Sequence, residues 1–275
     1  MRKVEFIAVA ICISLLFSCG PKRVSKGESD EALYNMAMDK LESDDRGFPW
    51  IIGGTDYETI LKLLKEIQLR YTYSPYATLA ELRTADTYFK KEEYEQAAVE
   101  YGEFIKRHPN HEETPYAIYR LGLSCYKQRR GVDRDPTYTR EAVKWFDELI
   151  ENYPDSPFVD NAKKRRLKAR EELAEREIYI GRFYKGRENF KAAAERFKVV
   201  VSEYRDTNEF EEALFLLGES YLKMDETRLA KETLERVVEE FPKAEYSDDA
   251  TELLSEIKKT EVNKIEEIKA KEECC

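Results

Sequence analysis

Side chains able to do chemistry are few and scattered. His108 and His111 flank a proline in HPNH; a metal ion there would need further ligands, which the loop does not show, so the pair reads as a turn ending a helix. Gly53–Gly54 could bring backbone N–H groups to a phosphate. No strand precedes the pair, however, and no Lys follows at the spacing such a loop uses, so it reads as a hinge. No nucleophile with its base, and no acid–base pair, can be assembled from the rest. The sequence thus yields no catalytic residue, no metal site and no dissociable cofactor. Of five cysteines, Cys125 falls in a helical pattern and reads as a small core residue. Cys274 and Cys275 end a charged tail, where they could be reactive or pair between molecules in an oxidising compartment, or be an unstructured remnant. That leaves Cys19.

Arg2 and Lys3 precede a twelve-residue apolar run, Phe6 to Phe17. It is shorter than the roughly 20 residues a helix needs to cross a bilayer, and after basic residues it reads as an export signal. The run closes on LFSC, Leu16 to Cys19, and gives way at once to polar GPKRVSKGES. This junction resembles the lipobox of bacterial lipoproteins, in which a small residue precedes a cysteine that is lipidated on sulfur and becomes the new N-terminus. Ser18 and Cys19 fit it, Phe17 is bulkier than usual there, and Cys12, behind Ile11, is a poor alternative. The resemblance implies a signal peptide over 1–18, a covalent lipid on Cys19 and a flexible tether over 19–29; an ordinary cleaved signal is the alternative. Each buried methylene contributes about 0.8 kcal/mol, so several acyl chains on one residue hold a protein to a membrane without spanning it.

The elements that must carry these residues follow from composition. Over 275 residues, 42% apolar and 37% charged, scarce Gly (11) and Pro (9) leave few of the turns a sheet protein requires. Abundant Glu, Lys, Ala and Leu favour helices, and the fold class is all-α. A net charge of −10 argues against nucleic acid as a partner, because that recognition rewards a basic face. The strongly basic run KKRRLKAR, 163–170, reads as solvated helix surface, with an anionic partner or lipid headgroup as the alternative.

The clearest internal unit is ALFLLGESYLKMDETRLAKETLERVVEEFP, 213–242. Leu214, Leu217, Gly218 and Tyr221 share one helical face, Ala230, Leu234 and Val237 share another, and Phe241–Pro242 ends the pair. Gly218, Ala230 and Pro242 stand at the intervals of the tetratricopeptide repeat, which this unit resembles. Stepping back by 37 gives Gly181, Ala193 and Phe197; earlier come Gly122, Ala142, Phe146 and Pro154, then Ala85, Ala97, Tyr101 and Pro109. A fifth, degenerate unit runs through Ala37, Leu64 and Ile67, interrupted by RGFPWIIGG. Gly122 to Gly181 spans 59 residues instead of 37. About eight of the surplus fall in the turn carrying GVDRDPTY, and about fourteen lengthen the first helix of the fourth unit, from near Phe158; that helix should project about 20 Å. YTYSPY (71–76) and YPDSPF (153–158) are corners between units: an aromatic closes one helix, Ser caps the next, and Pro takes its first turn. The expected architecture is a right-handed α-solenoid of about five tetratricopeptide-like helix pairs over 30–258, then a charged, loose tail over 259–275.

In tetratricopeptide repeats the first helix of each unit lines the concave wall. The corresponding places here include Tyr34 and Met38 in unit one, Leu82 and Phe89 in unit two, and Tyr116, Tyr119, Leu123 and Tyr126 in unit three. This aromatic and apolar stripe suits a peptide with aromatic anchors, or packs on neighbouring helices. The lining turns charged in units four and five, with Glu175, Arg182, Lys185, Glu212 and Glu219.

Lipobox, linker, five repeats, HPNHEETPYAIYRLGLS and the segment VDRDPTYTREAVKWFDELIENYPDSPFVDNAKKRRL together resemble the BamD/ComL family of lipoproteins of the bacterial β-barrel assembly machinery, over roughly 28–245. The resemblance implies a lipid-anchored, non-enzymatic scaffold on the periplasmic face of the outer membrane. Its N-terminal repeats would receive unfolded outer-membrane proteins, whose terminal signals end in aromatic residues. Its C-terminal repeats would dock the soluble domains of the barrel subunit BamA, with other assembly lipoproteins as further partners. Arg196, in AAERFKVV, matches a family arginine at that docking surface, or is an ordinary solvated charge. A periplasmic repeat adaptor serving cell-wall or division machinery is the alternative.

Overall fold

A computed structural model describes residues 27–43 and 56–273, and every regular element among them is a helix. These are α1 (Asp30–Ser43), α2 (Tyr57–Arg70), α3 (Pro75–Lys90), α4 (Tyr94–Arg107), α5 (Thr114–Lys127) and α6 (Thr137–Asn152). They continue as α7 (Val159–Lys185), α8 (Phe190–Glu203), α9 (Glu209–Lys223), α10 (Thr227–Glu240) and α11 (Ser247–Glu273). Cys19, RGFPWIIGG with its Gly53–Gly54, Cys274 and Cys275 lie outside the described residues. None of the described helices is long and apolar enough to cross a membrane. The chain divides after Arg83 into two compact units, a boundary that falls within α3.

The first unit is built on α1 and α2. Leu33, Ala37 and Leu41, at helical spacing, meet Ile60, Leu63, Leu64 and Ile67 in one buried cluster completed by Ala77 and Ala80. Asp56 caps α2, its carboxylate accepting the Thr59 N–H at 3.1 Å. At the corner 71–76, the Tyr71 N–H closes α2 on the Ile67 carbonyl at 2.9 Å, and its hydroxyl donates to the Glu28 carbonyl at 2.6 Å. Ser74 accepts the Tyr76 N–H at 3.1 Å and donates to Asp30.

In the second unit each helix from α4 onward packs on the next, and α7 also reaches α9. The small residues fix how closely the pairs approach. Gly122, Gly181 and Gly218 are buried, and a Cβ built on them would meet Phe146 at 2.7 Å, Phe197 at 2.3 Å and Leu234 at 2.7 Å. Each of these second-helix side chains follows its unit's buried alanine, Ala142, Ala193 or Ala230, by one helical turn. Three turns within pairs repeat one geometry: Glu92, Glu188 and Asp225 take φ near +60°. The next N–H, of Glu93, Asn189 or Glu226, returns to the carbonyl of Tyr88, Tyr184 or Tyr221 at 3.0 Å, which satisfies an orphan helix-end acceptor. The third pair lacks this turn; residues 128–136 separate α5 from α6, where the sequence places its eight-residue insertion.

The fourth-unit surplus lies in α7, 27 residues against 14 in α5. It is clasped instead of projecting freely. Val159, Ala162 and Ala169 are buried, Arg166 donates to Asp147 at 3.0 Å, and Arg170 Nε donates to both Asp206 oxygens at 3.1 and 3.0 Å. Two of the basic residues of 163–170 are thus internally paired, while Lys163, Lys164, Arg165 and Lys168 stay exposed. The second corner repeats the first in part: Ser156 accepts the Phe158 N–H at 3.3 Å, and the Tyr153 hydroxyl donates to the Pro109 carbonyl at 3.3 Å. Pro157, however, lies in the turn before α7 and not in its first helical turn. At the C-terminus, α11 packs Ala250 and Ile257 into the core and then continues to Glu273, where the sequence suggests a loose tail. That stretch contains no Gly or Pro and is rich in Glu and Lys, so helix propensity carries it on, with Val262 and Ile265 exposed.

If the glycines set the spacing of the pairs, Gly181→Ala destabilises by about 1–3 kcal/mol through overpacking against Phe197. Gly102→Ala, on α4 with nothing within 4 Å of the added carbon, should instead stabilise by about 0.5–1 kcal/mol. Urea unfolding of the two variants checks for the opposite signs.

Candidate protein-interaction site

The stripe of first-helix residues expected to line a groove is only partly accessible. In the first unit, Tyr34 and Met38 are half-buried against the α1–α2 core, and the Tyr34 ring lies 5.4 Å from that of Tyr76. The Tyr34 hydroxyl accepts a hydrogen bond from Arg83 Nε at 3.3 Å. Leu82 is fully buried and is withdrawn from the candidate lining. Burial likewise removes Tyr126 in the second unit: its hydroxyl donates to Glu172 at 2.7 Å and the Arg129 guanidinium covers its ring at 4.0 Å. That burial, with the bond to Glu172, pushes its phenol up to about 12.

The remaining residues of the second unit stand around one buried carboxylate. Asp86, on α3, accepts hydrogen bonds from the hydroxyls of Tyr101 at 2.5 Å and Tyr116 at 2.8 Å. Arg120 Nε donates to the Tyr101 hydroxyl at 3.1 Å and lies 3.8 Å from Asp86, so the buried charge has an opposite one beside it. The same guanidinium lies over the Phe89 ring at 3.7 Å, a cation–π contact, and Tyr94 meets that ring edge-on at 5.2 Å. Burial first, then Asp86, raises the Tyr101 phenol well above its ordinary range, keeping it a donor. Tyr119 stacks on Phe158, centroids 5.5 Å apart and planes 16° apart, and Tyr116 meets Phe158 from another side at 5.5 Å. Tyr116, Tyr119, Leu123 and Phe89 remain half-buried. The outcome is an aromatic surface anchored through the Tyr116 hydroxyl to the buried Asp86.

Arg120 and Phe158 were not among the residues singled out from sequence. Arg120 lies one turn after Tyr116, a spacing that signals contact, but only the fold places Asp86 beside it. Phe158, read as a corner residue, contributes its ring to the same surface. The histidines are structural: both rings pack on Phe104, and His111 Nδ1 accepts the Glu113 N–H at 3.1 Å. Cys125 is buried, and burial pushes its thiol up to about 11, which suits an inert core residue. No group of His, Cys, Asp or Glu among the described residues could hold a metal ion.

Arg196, on α8, donates to Glu177 Oε2 at 3.1 Å. The pair is asymmetric, with the Glu177 side chain 8% exposed and that of Arg196 42%. Arg176 approaches the other Glu177 oxygen at 3.6 Å. Arg196 is therefore neither free nor fully solvated; a buried carboxylate from α7 holds it at the surface. It does not belong to the Asp86 cluster.

Stacked helix pairs with close-packed first-helix glycines define a helical-repeat protein. The model of the family described as "YfiO: Outer membrane lipoprotein" matches residues 27–237, and the chain belongs to that family. The outer membrane protein assembly factor BamD of Neisseria meningitidis serogroup B strain MC58 is 30% identical over 234 residues, covering 82% of this chain and 84% of the relative. That of Neisseria gonorrhoeae is 29% identical over 250 residues, covering 87% and 90%. Haemophilus influenzae BamD is 28% identical over 245 residues, covering 85% and 89%. The resemblance read from the sequence is borne out.

Removing the central carboxylate tests the anchoring. Asp86→Ala removes the acceptor of the Tyr101 and Tyr116 hydroxyls and the carboxylate beside Arg120, and should cost about 3–5 kcal/mol, whereas Tyr119→Ala should cost less. Chemical denaturation of the two variants gives the ranking.

Proposed function

We propose that the chain is a lipid-anchored, non-enzymatic scaffold in the assembly of outer-membrane β-barrel proteins. A lipid on Cys19 would hold it at the periplasmic face of the outer membrane. The family described as outer membrane lipoproteins, and relatives named as outer membrane protein assembly factors along most of their length, support this reading. The observation that carries the binding mode is the cluster of Tyr116, Tyr119 and Phe158, held by Asp86 and Arg120 and still partly open to solvent. Rings fixed beforehand lose little entropy when a partner's aromatic residue stacks on them, which favours unfolded chains ending in such residues.

Docking of the soluble domains of the barrel subunit BamA belongs to the C-terminal repeats in this proposal, with Arg196 as a contact. Glu177 fixes one side of its guanidinium and leaves further N–H groups for an acidic partner. Other assembly lipoproteins complete the set of partners.

Tyr119→Ala should weaken binding of a fluorescent peptide ending in Phe by about tenfold, a typical loss for an interface tyrosine, with helicity retained. Unchanged affinity in fluorescence anisotropy would remove these rings from the site. Arg196→Glu should reduce recovery of the barrel subunit when the tagged chain is purified from membranes. Cys19→Ala should abolish labelling by a fatty-acid analogue, and persistent labelling would exclude that anchor.

A further inference from the structure

The third helix pair departs from the others at its inner turn, and the departure builds a cavity. Residues 128–136 replace the tight left-handed turn and, with α7, line a cleft of about 450 Å³, the size range of small-ligand sites. Four arginines line it, Arg129, Arg130, Arg134 and Arg176, together with Glu172 and Glu175. The lining is net positive by two in a chain whose overall charge is −10.

These charges are not equally available. Arg129 is committed to Glu172, Nε to Oε1 at 2.9 Å, and Glu172 also takes the Tyr126 hydroxyl. Arg176 is held in place because its Nε donates to the Arg134 carbonyl at 3.2 Å. Arg134 has an exposed 3.5 Å pair with Asp133, worth little in water, and Arg130 stands near enough to Asp135 to favour its charged form without a close ion pair among the described residues. Val132, Pro136 and Leu173 supply an apolar lining between the charges.

We infer that this cleft binds a short acidic peptide segment of a partner protein, with a carboxylate taken by Arg130 and Arg134 and an adjoining apolar side chain against Val132 and Leu173. The mixed lining favours a peptide over a phosphorylated headgroup. A peptide brings backbone N–H donors that the exposed Glu175 can accept, together with carboxylates for the guanidinium forks. A phosphate brings no N–H donors and would leave Glu175 without a partner from the ligand. The cleft shares no residue with the Asp86 cluster, its Arg176 meets Arg196 only through Glu177, and the insertion in this one pair supplies much of its lining.

The test uses the full chain and a fluorescein-labelled hexapeptide of alternating Asp and Leu, with its Asn–Leu counterpart as control. The acidic peptide should bind and the control should not. Arg130→Ala with Arg134→Ala, both at exposed positions, should weaken binding about tenfold or more. Val132→Trp, which fills the cleft without changing its charge, should weaken it as well, distinguishing a built site from general attraction. Equal binding of the two peptides, or full affinity in either variant, overturns the inference. So does arginine-dependent binding to phosphatidylglycerol vesicles by a chain that ignores the acidic peptide, which would assign the cleft to a lipid headgroup.

Discussion

Close approach of paired helices, made possible where a first-helix glycine admits a second-helix side chain, is the constraint on which the larger unit depends. Phe146, Phe197 and Leu234 each occupy the space a Cβ would need on Gly122, Gly181 or Gly218. Interaxial distance is set by the residues at the contact, and repeating one contact repeats one spacing. The second-helix faces that follow, Ala142 with Leu149, Ala193 with Val200 and Ala230 with Val237, are then buried in register. The pair containing Ala85 uses another solution. Tyr101, standing where the other pairs place Phe or Leu, sends its hydroxyl past the helix contact to Asp86.

That tyrosine is the origin of the anchored aromatic surface. A buried hydroxyl needs a partner, Asp86 supplies it, and a buried carboxylate in turn requires the charge of Arg120. Arg120 then covers Phe89, while Tyr116 shares the carboxylate and leans on Phe158. This set ties α3, α5 and the corner before α7 together, through contacts that the repeat pattern alone does not demand. Glu177 plays a comparable part for Arg196.

Much of the helical architecture was legible in the sequence because it rests on periodicity. The small residues at 122, 181 and 218, the eight-residue insertion before α6 and the lengthening of α7 all follow from spacing, and the structure places each where the count does. The site was less legible. Residue type marks Tyr116, Tyr119 and Phe89 as surface candidates, but it cannot separate a ring that stays half-open from one that is sealed, as Tyr126 is by Arg129 and Glu172. Leu82 occupies the repeat position equivalent to the half-buried Tyr119, yet is fully buried. Polar partners distant in sequence, such as Asp86 for Tyr116, decide the matter, and periodicity carries no information about them. The projecting helix was misjudged for the same reason, since Asp147 and Asp206 reach Arg166 and Arg170 from other elements.

The left-handed turns at Glu92, Glu188 and Asp225 bear on how such a chain can change over evolutionary time. A residue with a Cβ in that conformation costs about 1–2 kcal/mol relative to glycine, so these turns together forgo a few kcal/mol. A lineage moving to warmer surroundings could recover much of it by placing glycine at those positions, leaving the Asp86 cluster and Arg196 untouched. Heat tolerance can therefore change in this scaffold without altering its aromatic surface.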